Sequence, residues 1–174
     1  EALPHCAALS QLDLSWNPMG TVGARALSEA LPQCTVLSHL HLSWTEIGEE
    51  GARALSEALP RCAMLSHLHL SCRHGQSLGT VSALALSEAL PRCPVLSHLD
   101  LSANRLGVEG GRVLSKALPH CTALSQLNIS LNYFGTEGGC ALSEALPHCS
   151  ALSHLDLSAN VIGAEGARVL SQAL

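Results

Sequence analysis

The stretch Leu96-Ser97-His98-Leu99-Asp100-Leu101-Ser102-Ala103-Asn104-Arg105-Leu106-Gly107 decides the fold, because its hydrophobicity alternates first and then changes period. Leu99 and Leu101 stand two apart, which places both on one side of a short strand and leaves His98, Asp100 and Ser102 on the other. Beyond Gly107, the residues Val113, Leu114, Ala117 and Leu118 fall on one helical stripe, so a helix follows the strand. Pro119 then stops it, since proline lacks a donor and clashes with the preceding turn.

The same unit recurs along the whole chain. Segments opening at Leu9, Leu37, Leu65, Leu96, Leu124 and Leu152 carry Leu-Ser-x-Leu-x-(Leu/Ile)-Ser at spacings of 28, 28, 31, 28 and 28 residues. The longer step comes from three extra residues within Cys72-Arg73-His74-Gly75-Gln76-Ser77, and a local bulge is expected there, at the edge where insertions in repeat arrays collect. Pro32, Pro60, Pro91 and Pro147 repeat the stop of Pro119. Glu50, Glu109, Glu137 and Glu165 repeat in the first helical turns, where negative charge favours the exposed amide ends.

These residues resemble the leucine-rich-repeat consensus LxxLxLxxNxLG, with Asn104 at the position of the family's asparagine, and the resemblance covers essentially all of the chain. It implies an α/β, right-handed solenoid, a horseshoe segment with a parallel β-sheet on the concave face and short α-helices on the convex face. The 28-residue period and the helical outer half are similar to the ribonuclease-inhibitor subclass, also used by NOD-like receptors. Residues 1–174 are expected to form a single array, with 1–8 the end of a preceding repeat. The chain stops at Leu174 before the next expected proline, so the array is expected to be truncated at both ends, with self-association possible through uncapped layers.

Composition narrows the function. Aromatic residues are only 2% of the chain, so the core must be built from Leu, Ala, Val and Ile in thin layers. The formal charge is −5 with nine Lys and Arg, which supplies no basic stripe for nucleic acid. No apolar run reaches the roughly 18 residues of a membrane span and no signal or lipidation motif is present, so a cytoplasmic location without membrane insertion is expected. Of eight cysteines, Cys6, Cys34, Cys62, Cys93, Cys121 and Cys149 recur at one place per repeat with no Cys-x-x-Cys pair, which reads as a packing column of reduced thiols.

Nothing in the sequence marks an enzyme or a cofactor. Ser15, Ser43, Ser71, Ser102, Ser130 and Ser158 recur in every repeat, whereas a catalytic serine is needed once. Gly107-Val108-Glu109-Gly110-Gly111 carries a glutamate and no Lys-Ser or Lys-Thr, so it is no phosphate loop. Arg25 with Glu29, and Arg53 with Glu57, stand four apart and read as a solvated outer face with modest pairing.

The informative positions are those where the chain departs from its own repeat. The outward strand columns run Gln11, His39, His67, His98, Gln126, His154 and Asp13, His41, His69, Asp100, Asn128, Asp156. Repeats two and three therefore bring His-x-His onto adjacent strands about 4.8 Å apart. His41 and His69, with Asp13 and Asp100 one strand away, form an alternative zinc site. Trp16 and Trp44 occupy neighbouring repeats in one column, followed by Cys72, and Phe134 takes a leucine position in the core.

A protein partner on the concave face is the leading expectation, contacting Trp16, Trp44, His39, His41, His67, His69, Asp13 and Asp100. The chain then serves as the ligand-sensing or docking segment of a larger intracellular protein. The alternatives are a GTPase-activating scaffold, since Ran GTPase-activating proteins use similar repeats, and a structural spacer.

Overall fold

A computed structural model describes residues 8–72 and 77–173. Cys6 and the core of the repeat-three insertion, 73–76, lie outside the described residues. Six strands alternate with six helices: β1 (Gln11–Asp13), α1 (Gly20–Ala30), β2 (His39–His41), α2 (Gly48–Ala58), β3 (His67–His69), α3 (Gly79–Ala89), β4 (His98–Asp100), α4 (Gly107–Ala117), β5 (Gln126–Asn128), α5 (Gly135–Ala145), β6 (His154–Asp156) and α6 (Gly163–Ala173).

The strands form one parallel sheet in chain order with no slip of register. Leu12, Leu40, Leu68, Leu99, Leu127 and Leu155 are paired across it as one row, so a slip by one residue would turn every leucine into solvent. Helices α1 to α5 each carry the chain from one strand to the next, and the leucines between sheet and helices form one continuous core. Leu114, Ala117 and Leu118 are buried as the helical stripe requires, and Phe134 is fully buried in its leucine column.

Two features explain how so short a strand turns into a helix. The glycine that opens each helix has a φ of +61° to +70°, the left-handed region in which a side chain is penalised. Asparagines then pin the turn. Asn132 Nδ2 donates to the carbonyls of Leu101, Ile129 and Ser130, while its Oδ1 accepts from the Asn104 amide at 3.0 Å. Asn104 and Asn160 repeat the pattern, and all three are buried.

The prolines act one step later than a simple stop. Each α-helix ends at an alanine, and after α1 to α5 the following Leu-Pro-x tightens into a 3₁₀ turn with proline at its second residue. The cysteine after that turn returns its thiol to the alanine carbonyl four residues back, for example Cys93 to Ala89 at 3.4 Å. Burial pushes the thiols of Cys62 and Cys93 up to about 11 and that of Cys121 to about 12, so the column is chemically quiet packing.

Candidate binding face on the sheet

Because leucines occupy the inward side of every strand, the outward side is left to two straight rows of polar side chains. In the first row His39, His67 and His98 stack ring on ring, with centroids 4.0 and 3.9 Å apart. In the second, His41 stacks on His69 at 4.3 Å and 9°. Burial between neighbouring rings, reinforced by their mutual repulsion, holds His67 down to about 4 and lowers His41 and His98 as well.

Asp13 and Asp100 flank that second pair. Each turns Oδ1 back to the amide two residues on, Ser15 and Ser102, at 2.8 Å, and Asp156 does the same with Ser158. The Asp13 carboxyl lies below the usual range chiefly through its bonds from Ser15. For Asp100, burial opposes ionisation but is outweighed by His69 and by the amide and hydroxyl of Ser102. His69 Nδ1 faces Asp100 Oδ2 at 3.8 Å, an electrostatic contact longer than a hydrogen bond.

Trp16 and Trp44 stand at the strand exits in a backbone conformation with φ of +65° that Ala103, Leu131 and Ala159 share, so the turn rather than the indole demands it. Their rings stack at 4.0 Å and 19°, leaving Trp16 67% exposed over a half-buried Trp44.

Three readings of this face can be weighed on its geometry. The rings of His41 and His69 lie in nearly parallel planes about 4 Å apart, so their nitrogens do not converge on one ion. Among the described residues no group of three or more His, Cys, Asp or Glu is placed to hold a metal. Ser38, Ser66, Ser97 and Ser153 each set Oγ 2.8 to 3.0 Å from the Nδ1 of the next histidine, a contact that looks like a nucleophile and its base. Each hydroxyl, however, also reaches the serine carbonyl of the previous strand, and the arrangement recurs four times on an open surface. A broad, polar, aromatic-edged surface on a rigid ladder is suited to contact with another macromolecule.

The sheet also gathers residues beyond the expected group. A hollow of about 590 Å³ lies over repeats three to six and is lined by His69, His98, Asp100, Asn128, His154 and Asp156. Only His69 and Asp100 of these belong to the expected site. The two rows in the sequence already contain the others.

On the helix face Arg25 reaches Glu50 of the next helix at 3.1 Å rather than Glu29, and Arg53 pairs with Glu50 at 3.0 Å and Glu57 at 3.5 Å. Val81 and Leu84 of α3, 58% and 51% exposed, interrupt that ladder where repeats two, four and six carry both Glu and Arg. Comparing repeats along the helix columns, as along the strand columns, is the signal that exposes this pair.

The family described as Leucine Rich repeat matches residues 5–28, 33–56, 92–115 and 148–171, more than half of the chain, and the chain belongs to that family. No curated protein matches it by sequence. Among solved structures it is similar to a tropomodulin C-terminal domain from Caenorhabditis elegans, with a TM-score of 0.64, 16% identity, and 99% of this chain and 87% of that one covered. It is also similar to leiomodin-1 actin-binding site 2, with a TM-score of 0.60, 15% identity, and coverage of 99% and 85%. Both likenesses concern the fold. Among the described residues no helix is long and apolar enough to cross a membrane.

Proposed function

We propose that the chain is a non-catalytic docking scaffold whose protein partner lies along the outward face of the sheet, in contact with Trp16, Trp44, His39, His41, His67 and His69, with Asp13 and Asp100 at their flanks. The observation that carries this reading is the stacked tryptophan pair, the chain's only two tryptophans, set beside the imidazole rows on a register-locked ladder. Exposed aromatics held rigid lose little entropy on binding and are enriched among the residues that dominate interface energies.

The 28-residue period with a three-turn helix in each repeat supports a ribonuclease-inhibitor type of array, serving as the docking segment of a larger protein such as a NOD-like receptor. Actin binding is named for leiomodin-1, and a likeness at 15% identity brings only its fold to this chain.

Peptides selected against the chain from a random library provide a partner for the test. Trp44→Ala, the pair His41→Gln with His69→Gln, and Arg53→Ala are then compared by titration. Truncation of Trp44 is expected to cost about 2 kcal/mol, and Arg53→Ala less than about 1 kcal/mol. Weaker binding on loss of Arg53, with folded sheet-face variants binding normally, would place the partner on the helices instead.

A further inference from the structure

Resting on the reading of the sheet as the binding face, we infer that this face is built of hydrogen-bond acceptors and takes an extended basic segment of its partner, rich in arginine or lysine, which it releases on acidification.

Each serine hydroxyl has one proton to give. Ser38, Ser66, Ser97 and Ser153 Oγ lie 3.0 to 3.2 Å from the carbonyl of the serine one strand back, and a carbonyl only accepts. Repeat five supplies the control. Gln126 replaces the histidine there, yet Ser125 Oγ keeps the same contact with Ser97 O at 3.1 Å, so donation to the carbonyl does not depend on a ring beside it. With the hydroxyl proton committed, the adjoining Nδ1 of His39, His67, His98 and His154 is the donor to Oγ. In the neutral ring the outward Nε2 is then an acceptor.

The second row adds charge of one sign. The carboxylates of Asp13, Asp100 and Asp156 spend Oδ1 on their own turns, which leaves Oδ2 of Asp13 and Asp156 to the outside, while Oδ2 of Asp100 faces His69 Nδ1 at 3.8 Å. No Lys or Arg stands on any of the six strands. Beside Asp13, the stacked indoles offer a guanidinium a flat aromatic surface. A donor-rich cation satisfies all three kinds of group, whereas an acidic segment meets none of them.

Acid reverses the sign. The groups facing the histidine rows are the three aspartates and the amides Gln11, Gln126 and Asn128, with Glu46 and Arg105 at the exit turns; the helices lie behind the leucine core. Protonating an imidazole turns an acceptor into a cation, although His67, held down to about 4, stays neutral at about pH 5, and a bound cation opposes such protonation. Affinity for a basic segment therefore falls as pH falls.

Polyarginine and polyglutamate peptides of equal length are the probes, with tryptophan fluorescence as the readout because both indoles lie on this face. Polyarginine is expected to bind saturably at about pH 7.5 and about ten-fold more weakly at about pH 5, and polyglutamate to bind far less at the higher pH. Asp13→Asn with Asp100→Asn is expected to weaken polyarginine about ten-fold, and Glu50→Gln with Glu57→Gln to leave it within about two-fold. Nitrogen–proton correlation spectra are expected to show the proton on Nδ1 of His39, His67, His98 and His154. Tighter polyglutamate binding at the higher pH, a pH-independent polyarginine affinity, or protons on Nε2 would each overturn the inference while leaving the sheet as a docking face. Loss of polyarginine binding only in the Glu50 and Glu57 variant would overturn both.

Discussion

At the scale of single residues, the asparagine column shows what one amide contributes. Asn132 and Asn160 reach back to a leucine or isoleucine carbonyl of the preceding repeat as well as to their own, and so stitch two repeats together. Thr45 has one hydroxyl, which it spends on the Leu42 carbonyl, so the rung between repeats one and two is missing. Thr45→Asn is expected to restore it, donating to Leu14 O and accepting from the Asn17 amide, for a gain of about 1 kcal/mol. Thermal melts check this: a raised midpoint is expected, and an unchanged or lowered one would show that the rung is not what joins these repeats. The asparagine's role is legible only through the resemblance of Asn104 and its neighbours to the leucine-rich-repeat consensus. The serine–histidine contacts are not legible, because side-chain rotamers and strand separation decide them.

At the scale of elements, helix packing depends on absent side chains. A Cβ at Gly111 would meet Gly138 Cα at 2.9 Å and the Phe134 ring at 3.1 Å, so glycine makes room for the phenylalanine in the leucine column. Gly111→Ala is expected to force α4 and α5 apart and cost about 1–3 kcal/mol, measured by denaturant unfolding. The paired change with Phe134→Leu is expected to recover part of that loss, and no recovery would mean that Gly138, not Phe134, sets the clearance. Strand, turn and helix order is legible in the sequence because the period changes from two to 3.6 at each glycine. The stacking of Trp16 on Trp44 is not, since adjacency in a column fixes the distance between backbones but not the ring planes. Val81 and Leu84 are legible in the helix columns and carry no pattern within a single repeat.

At the scale of the whole molecule, the same stacking that builds the face makes its stability respond to pH. His67 is held at about 4 against an ordinary 6.5, through burial first and then the charges of His98 and His39, and His41 and His98 are lowered too. The folded state therefore binds fewer protons than the unfolded chain in this interval. Its stability is full above about pH 6.5 and is lost as pH falls towards about 4. The melting temperature is expected to drop across that window, and His67→Gln to shrink the drop; a flat profile would show that the rings are solvated as in the unfolded chain.

The most direct measurement of the central claim is hydrogen exchange of the chain with and without its tightest selected peptide. Slower exchange confined to Gln11–Trp16, His39–Trp44 and His67–Ser71 is the expected result, with Gly48–Ala58 of the outer helices unchanged. Protection of that helix, with the strands and their exits exchanging as before, would contradict it.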